Sequence, residues 1–124
     1  MITIDYQSRT PIYEQIVEKF QMLIIKGILP PGSRMPSVRS LAVELSINPN
    51  TIQKAFSTLE QQGYIFPIKG KGNFISQNTA LIEKKKENLM SEISRTLTQA
   101  KDLGITESEC TAILKGVYQK GGVL

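Results

Sequence analysis

The feature that most constrains this chain is a pair of short amphipathic segments set almost end to end. Ser37 precedes one whose apolar positions are Val38, Leu41, Ala42 and Leu45, and Asn48-Pro49 opens another with Ile52, Ala55, Phe56 and Leu59 inward and Gly63 at its end. Ser and Asn can each cap an orphan backbone N–H, and a proline in the first turn lacks only an N–H the helix does not need there. Spacings of three and four place each apolar set on one helix face. With so few residues between them, the two predicted helices meet across a tight turn.

The flanks fit the same layout. Thr10-Pro11 is a further helix-start signal in which the Thr can cap, and Ile12, Ile16, Phe20, Leu23 and Ile24 then form a core stripe up to Gly27, with Glu14, Glu18, Lys19 and Gln21 on the other side. Ile2-Thr3-Ile4 reads as a short extended lead-in. Pro30, Pro31, Gly32 and Pro36 break helical structure ahead of Ser37. After Gly63 come two β-rich runs, residues 64–68 and 73–76, joined by the four-residue loop Lys69-Gly70-Lys71-Gly72. That is a hairpin with a basic tip, and Pro67 marks its strand as an edge or bulged one. Helix, short helix, tight turn, helix, hairpin is the order of a winged helix-turn-helix.

All six prolines lie within residues 1–76, which points to a winged helix-turn-helix domain there and a break near Gln77-Asn78-Thr79. The first part carries eight basic and five acidic residues, the second seven and six, so most of the +4 net charge sits in the first. Residues 77–124 read as a two-helix region. Ile82, Leu89, Met90, Ile93, Leu97, Ala100 and Leu103 stripe one long helix over residues 81–103, ended by Gly104. Thr106-Glu107-Ser108-Glu109 matches a capping box and starts a last helix with Cys110, Ile113, Leu114, Val117 and Tyr118 inward. Two such helices make no core alone; they bury their stripes against the first part, each other or a second chain. A long helix apart from a binding head favours a homodimer, formed through Leu89, Met90, Ile93, Leu97, Leu103, Ile113, Leu114 and Val117. The fold class is mostly α with a small β-hairpin.

Composition closes several functions. At 124 residues there is room for one domain, or one with an appendage. There is no histidine and one cysteine, Cys110, so a zinc site, a Ser/His or Cys/His pair and an intrachain disulfide are excluded. No paired carboxylates form a recognisable motif, so no catalytic residues, metal or cofactor are expected and the chain reads as a non-enzyme. Cys110 reads as a small core residue, and Lys84-Lys85-Lys86, between Glu83 and Glu87, as a solvated helix face. No stretch reaches the roughly 18 apolar residues of a membrane span, and the expected setting is cytoplasmic.

The chemistry-bearing residues lie outside the core stripes. The third helix leaves Asn50, Thr51, Gln53, Lys54 and Ser57 outward, with its one acid, Glu60, two turns further on. Amides pair bidentately with adenine in a major groove, and a lysine reaches guanine or phosphate. Arg34 and Arg39 point away from the second helix's apolar stripe and suit phosphates. Ser37 and Asn48, at the two helix starts, join this DNA-binding set. Lys69, Lys71 and Gly72 at the hairpin tip suit a flanking minor groove. The implied partner is double-stranded DNA. A protein-interaction module is the alternative; exposed apolar anchors on the third helix would mark it, in place of amides and a lysine.

The run PIYEQI, PPGSRMPSVRSLAVEL, INPNTIQKAFSTLEQQGYI and GKGNFIS resembles the DNA-binding domain of the GntR family of bacterial transcription regulators, and NPNTIQKA with the GKG wing is most similar to its YtrA subfamily. By motif, the resemblance assigns operator contact to Arg39, Asn50, Thr51, Gln53, Lys54, Lys69 and Gly72. It implies a dimeric repressor of a near-palindromic operator, commonly that of a transporter operon and the regulator's own gene. Met35 stands where Leu is more frequent in the family, a volume-conserving change. Pro49 occupies a position where other subfamilies place a base-reading Arg. The tail is too short for the family's larger effector domains, and the resemblance assigns no small-molecule effector.

Overall fold

A computed structural model describes residues 2–77 and 79–121; Asn78, at the expected break, lies outside the described residues. The elements are α1 (Ile12–Ile25), α2 (Val38–Leu45), α3 (Pro49–Gln61), β1 (Ile65–Ile68), β2 (Gly72–Ile75), α4 (Thr79–Asp102) and α5 (Glu107–Gly121). They fall into two compact units, Met1–Ile82 and Glu83–Leu124.

In the first unit α1 and α2 both pack on α3, and the core is built where they meet. Ile16, Phe20, Leu41, Ile52, Phe56, Leu59 and Ile75 are all but fully buried, each side chain of this kind stabilising by about 1.5–3 kcal/mol. Phe20 meets Phe56 edge to face at 5.9 Å and 88°. Val17 and Gln21 join the buried face of α1, which corrects the expectation that Gln21 sits on the polar side. Positions 17, 21 and 24 share one helical face. The buried amide is satisfied, because Gln21 Nε2 donates to Gln62 Oε1 at 2.6 Å.

The start of α1 differs from expectation. Thr10 does not cap; Pro11 holds the N-cap position with no side-chain cap, since its carbonyl accepts the first helical bond, from Gln15 N at 3.1 Å. The Thr10 carbonyl instead accepts from Gln15 Nε2 at 2.9 Å. Gln15 also exchanges two 2.9 Å bonds with the Asp5 backbone, which ties the N-terminal arm to α1 and lets Ile2 enter the core. Ser37 and Asn48 cap α2 and α3, Ser37 Oγ accepting from Ser40 N and Asn48 Oδ1 from Asn50 N. Between the helices Ser46 takes the left-handed conformation, φ 54°, and Ile47 N reaches back to Ala42 O at 3.0 Å. A matching closure ends α3: Tyr64 N bonds Leu59 O and Gly63 N bonds Glu60 O, with Gly63 at φ 87°.

The hairpin pairs Ile65 with Ile75 through Ile68 with Gly72. Gly72 is thus the first residue of β2, and the turn is the three residues 69–71 instead of four. The preceding proline-rich loop adds a third partner, because Gly32 N bonds Ile75 O, Ile75 N bonds Ser33 O, and Met35 N bonds Asn73 O, each at 2.8 Å. β2 therefore lies between that loop and β1, which leaves β1 as the edge that accommodates Pro67.

In the second unit the Thr106 capping box forms: Glu109 N donates to Thr106 Oγ1 at 3.1 Å and Thr106 N to Glu109 Oε1 at 3.3 Å. α4 stops at Asp102, so Leu103 lies just past its end, next to Gly104 at φ 84°. Cys110 is half-buried. Leu89, Met90, Ile93, Leu97, Leu103, Ile113, Leu114, Val117 and Tyr118 are all exposed in the single protomer. An apolar face on an amphipathic helix stays in water unless another surface covers it. Lys86 pairs with Glu83 at 3.8 Å on a solvent-facing turn. No described helix is long and apolar enough to cross a membrane.

Candidate nucleic-acid interface

Once α3 has buried Ile52, Ala55, Phe56 and Leu59, its N-terminal half presents Asn50, Gln53 and Lys54 to solvent, with Thr51 half-buried beside them. The Asn48 cap spends its Oδ1 on the Asn50 N–H at 2.8 Å, and its amide donors remain outward. Gln53 Nε2 bonds Ser57 Oγ at 3.3 Å, a contact within the exposed face. Asn50, Thr51 and Lys54 share a shallow open depression with Ile12 and Tyr13 of α1.

Tyr13 is the residue that sequence reasoning missed. The Lys54 ammonium sits over its ring, 3.9 Å from the centroid. The Tyr13 hydroxyl donates to Glu14 Oε1 at 3.2 Å, and that hydrogen bond, followed by the carboxylate charge, raises the phenol above its ordinary pKa. Tyr13 is half-buried at the edge of the core face of α1, and the crossing of α1 over α3 brings it to Lys54.

At the start of α2, Ser37 Oγ is held by Ser40, accepting from its N–H at 3.0 Å and lying 2.9 Å from its hydroxyl. Arg39, in the first turn of α2, is exposed, and among the described residues it takes part in no ion pair. Arg34 is also exposed, and its backbone bridges Phe74 of β2. Its guanidinium lies against Gly72, whose φ of 107° suits only a residue without a Cβ. Lys69 and Lys71 are exposed on either side of Gly70, which takes φ 78° in the turn. No group of acids, cysteines or histidines able to hold a metal occurs among the described residues.

A short helix pair with a tight turn, a polar cationic face on the second of them and a basic hairpin beside it define a winged helix-turn-helix unit followed by a helical region. The chain belongs to the gntR family of bacterial regulatory proteins, whose family model matches residues 12–75. It is 42% identical to the HTH-type transcriptional repressor YtrA of Bacillus subtilis over 107 residues, 85% of this chain and 82% of that one. Its structure is similar to that of a transcriptional antiterminator from Listeria monocytogenes EGD-e, with a TM-score of 0.77 and 35% identity over 97% of this chain and 91% of the other. It is also similar to the AraR DNA-binding domain in complex with operator ORE1, with a TM-score of 0.53 and 26% identity over 59% of this chain and 89% of that one. The chain is a transcription regulator of this family, not an enzyme.

Proposed function

We propose that the protein is a dimeric, cytoplasmic repressor that binds a near-palindromic operator in double-stranded DNA, such as that of a transporter operon and its own gene. Each protomer places the N-terminal half of α3 in a major groove, where Asn50, Thr51, Gln53 and Lys54 meet base edges or phosphates. Arg34, Arg39 and the α2 start fix the register on phosphates, and Lys69, Lys71 and Gly72 of the wing reach the neighbouring minor groove. The observation that carries this reading is the α3 face itself: two amides and a lysine exposed beside a half-buried hydroxyl at a capped N-terminus, with no acid before Glu60. AraR bound to its operator, and the repressor name of the YtrA relative, support the same assignment.

The exposed apolar stripes of α4 and α5 support the dimer, since a second copy supplies the cover that these side chains lack. Two linked reading heads bind a two-fold site far more tightly than one. Selection of bound sequences from a random duplex pool, followed by sedimentation with the best duplex, tests the proposal. An inverted repeat holding two chains, with half-site centres about 34–36 Å apart or a multiple of that, is the expected result. No enriched sequence, with only weak salt-labile binding, overturns it in favour of a protein-interaction module.

A further inference from the structure

The Lys54 side chain is exposed, four carbons long and free to rotate, yet its ammonium rests on the face of Tyr13, 3.9 Å from the ring centroid. The two residues come from different helices, α1 and α3, and both line the depression that also holds Asn50 and Thr51. Tyr13 in turn is fixed by its hydroxyl, which donates to Glu14 Oε1 at 3.2 Å. A phenol bound to a carboxylate has a more electron-rich ring, and the attraction between a cation and a ring face grows with that density.

We propose that Tyr13 is a positioning residue for DNA binding: its ring holds the Lys54 ammonium in place at the α1–α3 crossing, so that this charge reaches DNA already ordered. The inference rests on the reading of α3 as the DNA-contacting helix and adds to it a residue of α1. An ammonium has three N–H donors, and a ring on one side leaves the opposite side open to a phosphate oxygen or a guanine acceptor. A free lysine surrenders its rotamer freedom on binding, whereas one already held on a ring surrenders less. Glu14 belongs to the same device: its carboxylate is spent on the phenol, one residue away, instead of standing free beside the lysine.

A double-mutant cycle on the full chain tests this, with a duplex recovered by the wild type as the probe. Tyr13→Leu is expected to weaken binding about two- to fivefold, the size of an exposed cation–π contact. In a Lys54→Met background the same change is expected to add nothing. Tyr13→Phe keeps the ring but loses the hydroxyl bond to Glu14, and is expected to recover part of the affinity that Tyr13→Leu loses. In the DNA-free protein, the Lys54 ε-methylene protons are expected to show an upfield ring-current shift that disappears in Tyr13→Leu. Equal losses from Tyr13→Leu in both backgrounds, no rescue by Phe, or an unshifted Lys54 methylene overturns the proposal. Failure of the DNA reading has a different signature: Lys54→Met then binds as the wild type does while the ring-current shift persists, and with no lysine contact to position the proposal falls with it.

Discussion

The Arg34 guanidinium lies across Gly72, so close that a Cβ on that glycine would stand 3.2 Å from Nε and 3.4 Å from Nη2. The loop before α2 and the wing are thereby joined twice, by the backbone bridge from Arg34 to Phe74 and by this contact. Gly72→Ala meets two penalties, the φ of 107° and the collision with Arg34. It is expected to lower stability by about 1–3 kcal/mol. Adding Arg34→Ala relieves the collision and leaves the backbone strain, so the double variant is expected to recover only part of the loss. Thermal melts of the three variants check this.

Ser46 is the one non-glycine residue at positive φ among the described residues, and it makes the turn between α2 and α3. A left-handed L-residue costs about 1–2 kcal/mol, against about 0.5–1 for the extra freedom a glycine loses on folding. Ser46→Gly is therefore expected to stabilise the chain by up to about 1 kcal/mol. Urea denaturation gives the comparison, and a loss of stability would show that the Ser46 side chain supports the turn.

Lys54→Ala and Arg39→Ala remove exposed cations that hold no ion pair among the described residues, so Arg39→Ala is expected to melt as the wild type does and Lys54→Ala to lose at most about 0.5–1 kcal/mol with its Tyr13 contact. Each is expected to weaken operator binding and to reduce the slope of log affinity against log salt by about one for each lost phosphate contact. Titrations at several salt concentrations read both quantities.

Tyr64 is buried in the core beside the hairpin, and burial raises its phenol above the ordinary value near 10. The native state thus holds this proton more tightly than the unfolded chain does. Its contribution to stability is whole below about pH 10 and is lost as pH climbs through the native value. Tyr64→Phe is expected to flatten the fall of stability above about pH 10, which denaturation at fixed alkaline pH measures.

Ile93 and Leu97 stand exposed, one turn apart, on the face of α4 that the proposed dimer buries. Replacing both with Glu is expected to shift sedimentation to the monomer and to weaken operator binding by at least tenfold, through loss of the linked second head. A dimer that survives these changes places the interface elsewhere.

Much of this architecture is legible in the sequence because its signals are local. Ser37, Asn48 and Thr106 each bond a backbone N–H two or three residues on, so the cap and the helix start are read in one glance. The Thr10-Pro11 pair is an exception, because Pro11 holds the cap position itself and the Thr10 carbonyl binds Gln15. Polarity alone puts Gln21 on the outer side of α1, yet its position on the helix puts it in the core, where Gln62 at the end of α3 satisfies it. The contacts that shape the candidate interface were the least legible. Tyr13 with Lys54 and Arg34 with Gly72 join residues about forty apart, and no periodicity encodes such a meeting.

The central claim, that the outer face of α3 reads base sequence, is tested most directly by repeating the selection from random duplexes with Gln53→Ala and Asn50→Ala beside the wild type. Each variant is predicted to lose base preference at one position in each half-site, symmetrically, while the rest of the inverted repeat persists, since one bidentate amide contact discriminates by about 1–3 kcal/mol. Identical preferences in all three proteins would contradict the account and move sequence reading away from this helix.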